Sequence, residues 1–145
     1  MAEAFPEEFL EFCALFNRGV YFEAHEVLED LWRTDRQDFY KGLIQQAVGL
    51  LHLENGNLVG ARHLFETSGE LLKPYLPTHR GLDLARLRHE TCCIVQRLPD
   101  ARRISLEEVA QLGLPRVQLH LSNDAEGAML RSAAPRGTFD EPAGS

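Results

Sequence analysis

Large apolar side chains recur at helical spacing along most of the chain. Phe9, Leu10, Cys13 and Phe16 mark a first helix. Pro6 stands where a first turn tolerates proline, Glu7 and Glu8 suit the positive end of the helix dipole, and Gly19 supplies the stop. Ala24, Val27, Leu28 and Leu31 repeat at i, i+3, i+4 and i+7, predicting a second helix from about Val20 to Arg33. Thr34 and Asp35 can cap a third, about Arg36–Glu54, with Tyr40, Leu43, Ile44, Ala47, Val48 and Leu51 inward. Gly56 ends it, and Asn57 can cap a fourth that reaches about Lys73, where Pro74 and Pro77 break the pattern. A fifth helix is expected over about Arg80–Leu98. Ser105-Leu-Glu-Glu108 is a capping-box pattern that opens a short C-terminal helix to about Leu112. Pro115–Leu121 reads as an extended strip lying on the bundle. Residues 122–145, rich in Ser, Ala, Gly and Pro, read as a flexible tail, leaving 1–121 as a single helical domain.

The first four helices contain an echo. A shift of 37 residues lays Gly19-Val-Tyr-Phe-Glu-Ala24 over Gly56-Asn-Leu-Val-Gly-Ala61, Phe16 over Leu53, Leu28 over Phe65 and Glu29 over Glu66. Each copy is a helix, a glycine-ended turn and a second helix with a small alanine near its start. This resembles tetratricopeptide hairpins, although the usual first-helix Trp-Leu-Gly signature is missing. A plain antiparallel bundle predicts the same pattern. The expected fold is therefore all-α: an antiparallel helical bundle of two αα-hairpins, with a fifth helix and a short C-terminal one.

Composition narrows the function classes. The 145 residues are 44% hydrophobic and 26% charged, a balance that suits one globular domain. No apolar run approaches the ~20 residues of a membrane span, so no membrane role is expected. Met1–Phe12 carries four glutamates and no base, unlike a signal peptide. Cys13, Cys92 and Cys93 lack metal-finger spacing, and reduced thiols in a cytoplasmic protein are expected. Residues 1–35 hold nine acids against Arg18 and Arg33, which accounts for the whole net charge of −7. No dense basic face is present, so nucleic acid is not expected as a partner. The acidic first part reads either as a solvated face packed beside the mildly basic 80–103 segment or as a surface that selects a basic partner.

Candidate chemistry gathers on the second and third helices. His25 and Glu29 stand at i, i+4, and Trp32 continues their stripe beside Ala24, Leu28 and Leu31. Gln45 and His52, at i, i+7, share a stripe on the third helix. If the helices are antiparallel neighbours, His25, Glu29, Gln45 and His52 face one another across their interface. Three readings follow. One is a structural hydrogen-bond network in which Glu29 accepts from a histidine and the Trp32 N–H finds a carbonyl or Gln45. That network predicts that Glu29→Ala lowers stability by about 1–3 kcal/mol. The second is a divalent-metal site, zinc or iron, with His25, Glu29 and His52 as ligands. The third is a small-ligand pocket with acid–base chemistry by His25 and Glu29. His-Glu-Val-Leu-Glu is not His-Glu-x-x-His, and no Glu-x-x-His is present, so neither the zincin nor the di-iron bundle pattern applies. The remaining histidines read as surface or edge residues. Cys92 and Cys93 read as core packing without a paired histidine.

The stretch Phe16-Asn-Arg-Gly-Val-Tyr-Phe-Glu-Ala-His-Glu-Val-Leu-Glu-Asp-Leu-Trp32 resembles the opening motif of the prokaryotic family called domain of unknown function 309. Phe39-Tyr-Lys-Gly-Leu-Ile-Gln-Gln-Ala47, His52 and Gly56-Asn-Leu-Val-Gly-Ala61 agree with it in order and spacing. The resemblance covers about residues 5–76. It implies a compact helical domain and no established activity. It marks His25, Glu26, Glu29, Trp32, Gly42, Gln45, His52, Asn57 and Ala61 as motif positions.

The reading that follows is a non-enzymatic cytoplasmic interaction or ligand-binding module. It would present its hairpins to a protein or peptide partner or to a second copy of itself. The alternative is a small metal-dependent hydrolase or metal-binding protein, with His25, Glu29 and His52 as ligands and Glu26 as base.

Overall fold

A computed structural model describes residues 5–131. The elements are α1 (Glu7–Asn17), α2 (Tyr21–Thr34), α3 (Asp38–Glu54), α4 (Leu58–Leu72), β1 (Thr78–His79), β2 (Leu82–Asp83), α5 (Leu84–Arg97) and α6 (Leu106–Gln111). A further helical stretch, α7, covers 123–131. The fold is an all-α bundle in which α1 packs on α2, α2 on α3 and α3 on α4. Phe9, Phe12, Phe16, Leu28, Phe39, Tyr40, Leu43, Leu58, Leu87 and Ile94 fill the core. Among the described residues no helix is long and apolar enough to cross a membrane.

The 37-residue echo is a structural repeat. At the first corner Gly19 donates to the Phe16 carbonyl (2.9 Å) and Val20 to that of Leu15 (3.0 Å). At the second, Gly56 donates to Leu53 (3.0 Å) and Asn57 to His52 (2.9 Å), the same pairs shifted by one repeat. Both corner glycines have positive φ, +80° and +76°, which a residue with a Cβ adopts at a cost. Ala24 and Ala61, fully buried, occupy equivalent places just inside the second helix of each hairpin.

The two hairpins differ in how closely their helices approach. A Cβ on Gly42 would lie 2.7 Å from the Leu72 side chain, and one on Gly49 2.7 Å from the Phe65 ring. These glycines, one above the other on α3, let α4 sit tightly against it. Ser68 joins the same seam, its hydroxyl donating to the Gly42 carbonyl (2.7 Å) and accepting from Gln46 Nε2 (3.0 Å).

The chain beyond α5 straps both corners. Leu58 and Val59 donate to the Arg102 carbonyl (3.0 and 3.2 Å), and Ile104 donates to that of Gly56 (3.0 Å). At the other corner Asn17 grips Leu119 from both sides: its Oδ1 accepts from the Leu119 amide (2.6 Å) and its Nδ2 donates to the Leu119 carbonyl (3.1 Å). Val117 and Leu119 of this extended strip are buried.

Three expectations differ from the structure. The fifth helix starts at Leu84, not Arg80. Arg80 and Gly81 both have positive φ and make the two-residue turn of a small hairpin, in which Thr78 pairs with Asp83 and His79 with Leu82. Asp83 then caps α5 by accepting from the Arg86 amide (3.0 Å). His79, expected at an edge, packs its ring against Phe39 and Tyr75. The stretch from 122, expected as a tail, includes α7: Ser122 donates to the Gly81 carbonyl (2.7 Å), and Ala125 is fully buried. The rest of that expectation, residues 132–145, lies outside the described residues.

Candidate functional site

The α2 stripe forms locally, as its spacing requires. His25 Nδ1 lies 2.8 Å from the Phe22 carbonyl, which only accepts, so this nitrogen carries the proton. Nε2 is left facing Glu29 Oε1 at 3.8 Å. That carboxylate is also 3.7 Å from Arg33 and is 40% exposed. It stands at the half-wet edge of the bundle rather than inside it. A buried histidine deprived of its acceptor is therefore not what Glu29→Ala would produce. Glu26 is exposed on the same helix.

Gln45 and His52 are engaged elsewhere. Gln45 faces α4, where its Oε1 accepts from the Thr67 hydroxyl (2.6 Å). His52 sits at the α3–α4 corner. Asn57 accepts from the Gly60 amide with Oδ1 (3.1 Å), which fixes its side-chain amide so that Nδ2 donates to His52 Nδ1 (3.1 Å). That bond uses the Nδ1 lone pair of His52 and places the ring proton on Nε2. Of the three expected metal ligands, His25 has the tautomer that presents a free Nε2 lone pair. His52 has its lone pair occupied. Among the described residues no group of three or more His, Cys, Asp and Glu is arranged to hold an ion.

Trp32 also departs from the expected network. Its buried indole N–H has no partner among the described residues, since Gln45 has turned to α4. Its ring instead carries two cations, with Arg36 Cζ 4.2 Å and Lys41 Nζ 4.7 Å from the centroid. These contacts join the end of α2 to the start of α3.

Beside the stripe lies the feature that most distinguishes this face. Phe22 is 52% exposed, its ring against that of His25, and it is flanked by exposed Glu23 and Glu26. Neither glutamate has an ion-pair partner among the described residues. Asp30 is exposed further along α2, and Glu7, Glu8 and Glu11 are exposed on α1. The net charge of −7 in the first 35 residues is thus displayed largely on the outer surfaces of the first hairpin.

Two features were not read from the sequence. Cys92 and Cys93 are exposed rather than in the core, and Cys93 Sγ is 3.6 Å from His89 Nε2, one helical turn away on α5. The i, i+4 spacing was the available signal. A groove of about 250 Å³ runs between α4 and α5 with Gln46 among its lining residues. Gln46 falls three residues after Leu43 and four before Leu50, which places a polar group on the core face of α3.

Comparison with known proteins agrees with the helical motifs. Residues 9–64 match the family described as Domain of unknown function (DUF309). The chain is 32% identical over 90 residues to "Uncharacterized protein YpuF" of Bacillus subtilis (strain 168), an alignment covering 59% of this chain and 50% of that protein. The chain thus spans about half the length of the curated relative it matches. No solved structure matches it.

Proposed function

We propose that this chain is a non-enzymatic interaction module whose first hairpin docks a basic partner segment through the outer face of α2. The observation that carries this is Phe22, a large apolar side chain 52% exposed among Glu23, His25 and Glu26. An aromatic anchor ringed by unpaired carboxylates matches a partner that offers an apolar residue beside lysines or arginines. The concentration of the net charge in the same hairpin would steer such a partner from a distance. Phe22 has an equivalent in the second hairpin, Val59, 41% exposed one repeat later, but its neighbours are Gly60 and the Arg102 strap rather than acids. The asymmetry favours the first hairpin.

Trp32, the sole tryptophan, lies on the same helix and reports on it. The test is a titration of the full chain with a synthetic lysine–leucine amphipathic peptide, followed by Trp32 emission and calorimetry. Saturable binding that weakens about tenfold or more in Phe22→Ala, and weakens with salt, is the expected result. Equal binding by parent and Phe22→Ala would reduce the interaction to charge adsorption and overturn the reading.

A further inference from the structure

The groove between α4 and α5 has the chemistry of a small-ligand site independent of the α2 face. Its floor contains Gln46, 2% exposed. The Ser68 hydroxyl spends its one proton on the Gly42 carbonyl, so it must accept from Gln46 Nε2. The Gln46 amide therefore cannot flip, and its Oε1 is a buried acceptor with no donor among the described residues. Such an atom is costly to leave empty and calls for an N–H or O–H.

The walls carry both signs of charge. Glu66 and Glu70, one turn apart on α4, line one side, and Arg88 of α5 lines the other. None of the three forms an ion pair among the described residues, so the walls do not neutralise each other across the gap. A second lining arginine, Arg62, is already committed, donating to the Pro99 and Ala101 carbonyls (2.6 and 3.2 Å). Phe65 and Val95 provide apolar surface between the charged edges.

We infer that this groove binds a free amino acid with an apolar side chain, a small zwitterion. Its ammonium group supplies the donor that Gln46 Oε1 lacks and lies near Glu66 and Glu70. Its carboxylate pairs with Arg88, and its side chain rests on Phe65 and Val95. A simple cation would leave Arg88 uncompensated, and a simple anion would meet two carboxylates and an acceptor oxygen. A ligand with both poles answers the Gln46 oxygen, the two carboxylates and Arg88 together.

The test is calorimetry of the full chain with L-leucine, L-valine, L-methionine and L-phenylalanine, then with leucine methyl ester and N-acetyl-leucine. At least one free amino acid is expected to bind saturably, and loss of either pole to weaken binding about tenfold or more. Arg88→Ala, an exposed position, is expected to bring free leucine down to the level of its ester and to leave the ester unchanged. Absence of binding by all four amino acids would overturn the inference, assigning the Gln46 oxygen to water. So would equal binding by leucine and its ester, or by parent and Arg88→Ala. Phe22→Ala leaves this site intact, so failure here and failure of the α2 docking surface are read separately.

Discussion

Gly56→Ala and Gly19→Ala make the same chemical change at equivalent corners, and the structure assigns them different costs. Both residues have positive φ, so each alanine loses about 1–2 kcal/mol to backbone strain. At Gly19 the new methyl would lie 2.7 Å from Arg116 Nη2, the far end of a flexible side chain that can swing away. The strap there is anchored through Asn17 and Leu119, which the substitution does not touch. At Gly56 the methyl would overlap the Ile104 carbonyl oxygen, which is backbone. Relief requires lifting the 102–104 strap, and with it the bonds from Ile104 to Gly56 and from Leu58 and Val59 to Arg102. At about 0.5–1.5 kcal/mol for each of these three bonds, Gly56→Ala is expected to cost about 2.5–6.5 kcal/mol in all, against about 1–2 for Gly19→Ala. Urea unfolding monitored by Trp32 emission and far-ultraviolet dichroism measures both. Costs equal to within about 0.5 kcal/mol would refute the assignment of the strap to the second corner.

Three further outcomes follow from side-chain contacts. Ser68→Ala removes the acceptor of the buried Gln46 Nε2 and one donor to the Gly42 carbonyl, and is expected to lower unfolding free energy by about 1–3 kcal/mol; an unchanged urea midpoint would contradict the seam described between α3 and α4. Glu29→Ala is expected to cost under about 1 kcal/mol, because the carboxylate is 40% exposed and its cationic neighbour, Arg33, is 3.7 Å away; a loss of several times that would restore the inward network. Burial raises the Glu54 carboxyl above its ordinary range, with Arg116 partly opposing. A raised folded value means that its contribution is whole below the ordinary carboxylate range and lost as pH rises through the raised one. Glu54→Gln should therefore match the parent at low pH and exceed it at neutral pH in urea melts; a less stable variant at neutral pH would show that the Arg116 attraction dominates.

The bundle was legible because its signals are local. Helical periodicity placed α1 to α4, and Gly19 and Gly56 fixed corners whose hydrogen bonds repeat after 37 residues. The β1–β2 turn was missed because Arg80 adopts positive φ without being glycine, and Gly81 alone did not announce a hairpin. The strip at Pro115–Leu121 was legible, but where it and the 102–104 strap attach was not, because Asn17 and Leu119, or Gly56 and Ile104, meet only after the whole chain has folded back. The site divides the same way. His25 and Glu29 stand together because one helix sets their spacing. Whether His52 and Gln45 join them depends on the rotation of α3, which the tight approach at Gly42 and Gly49 helps to set and which turns Gln45 toward Thr67. Asn57, expected as a cap, also holds His52, a second use that no spacing rule contains.

The outer face of α2 is best tested by amide chemical-shift mapping of the labelled chain during titration with the lysine–leucine peptide. The account predicts that the largest shifts fall on Phe22–Asp30, with Val59 and its neighbours on α4 unmoved. Shifts spread evenly over both hairpins, or centred on α4 and α5, would contradict it.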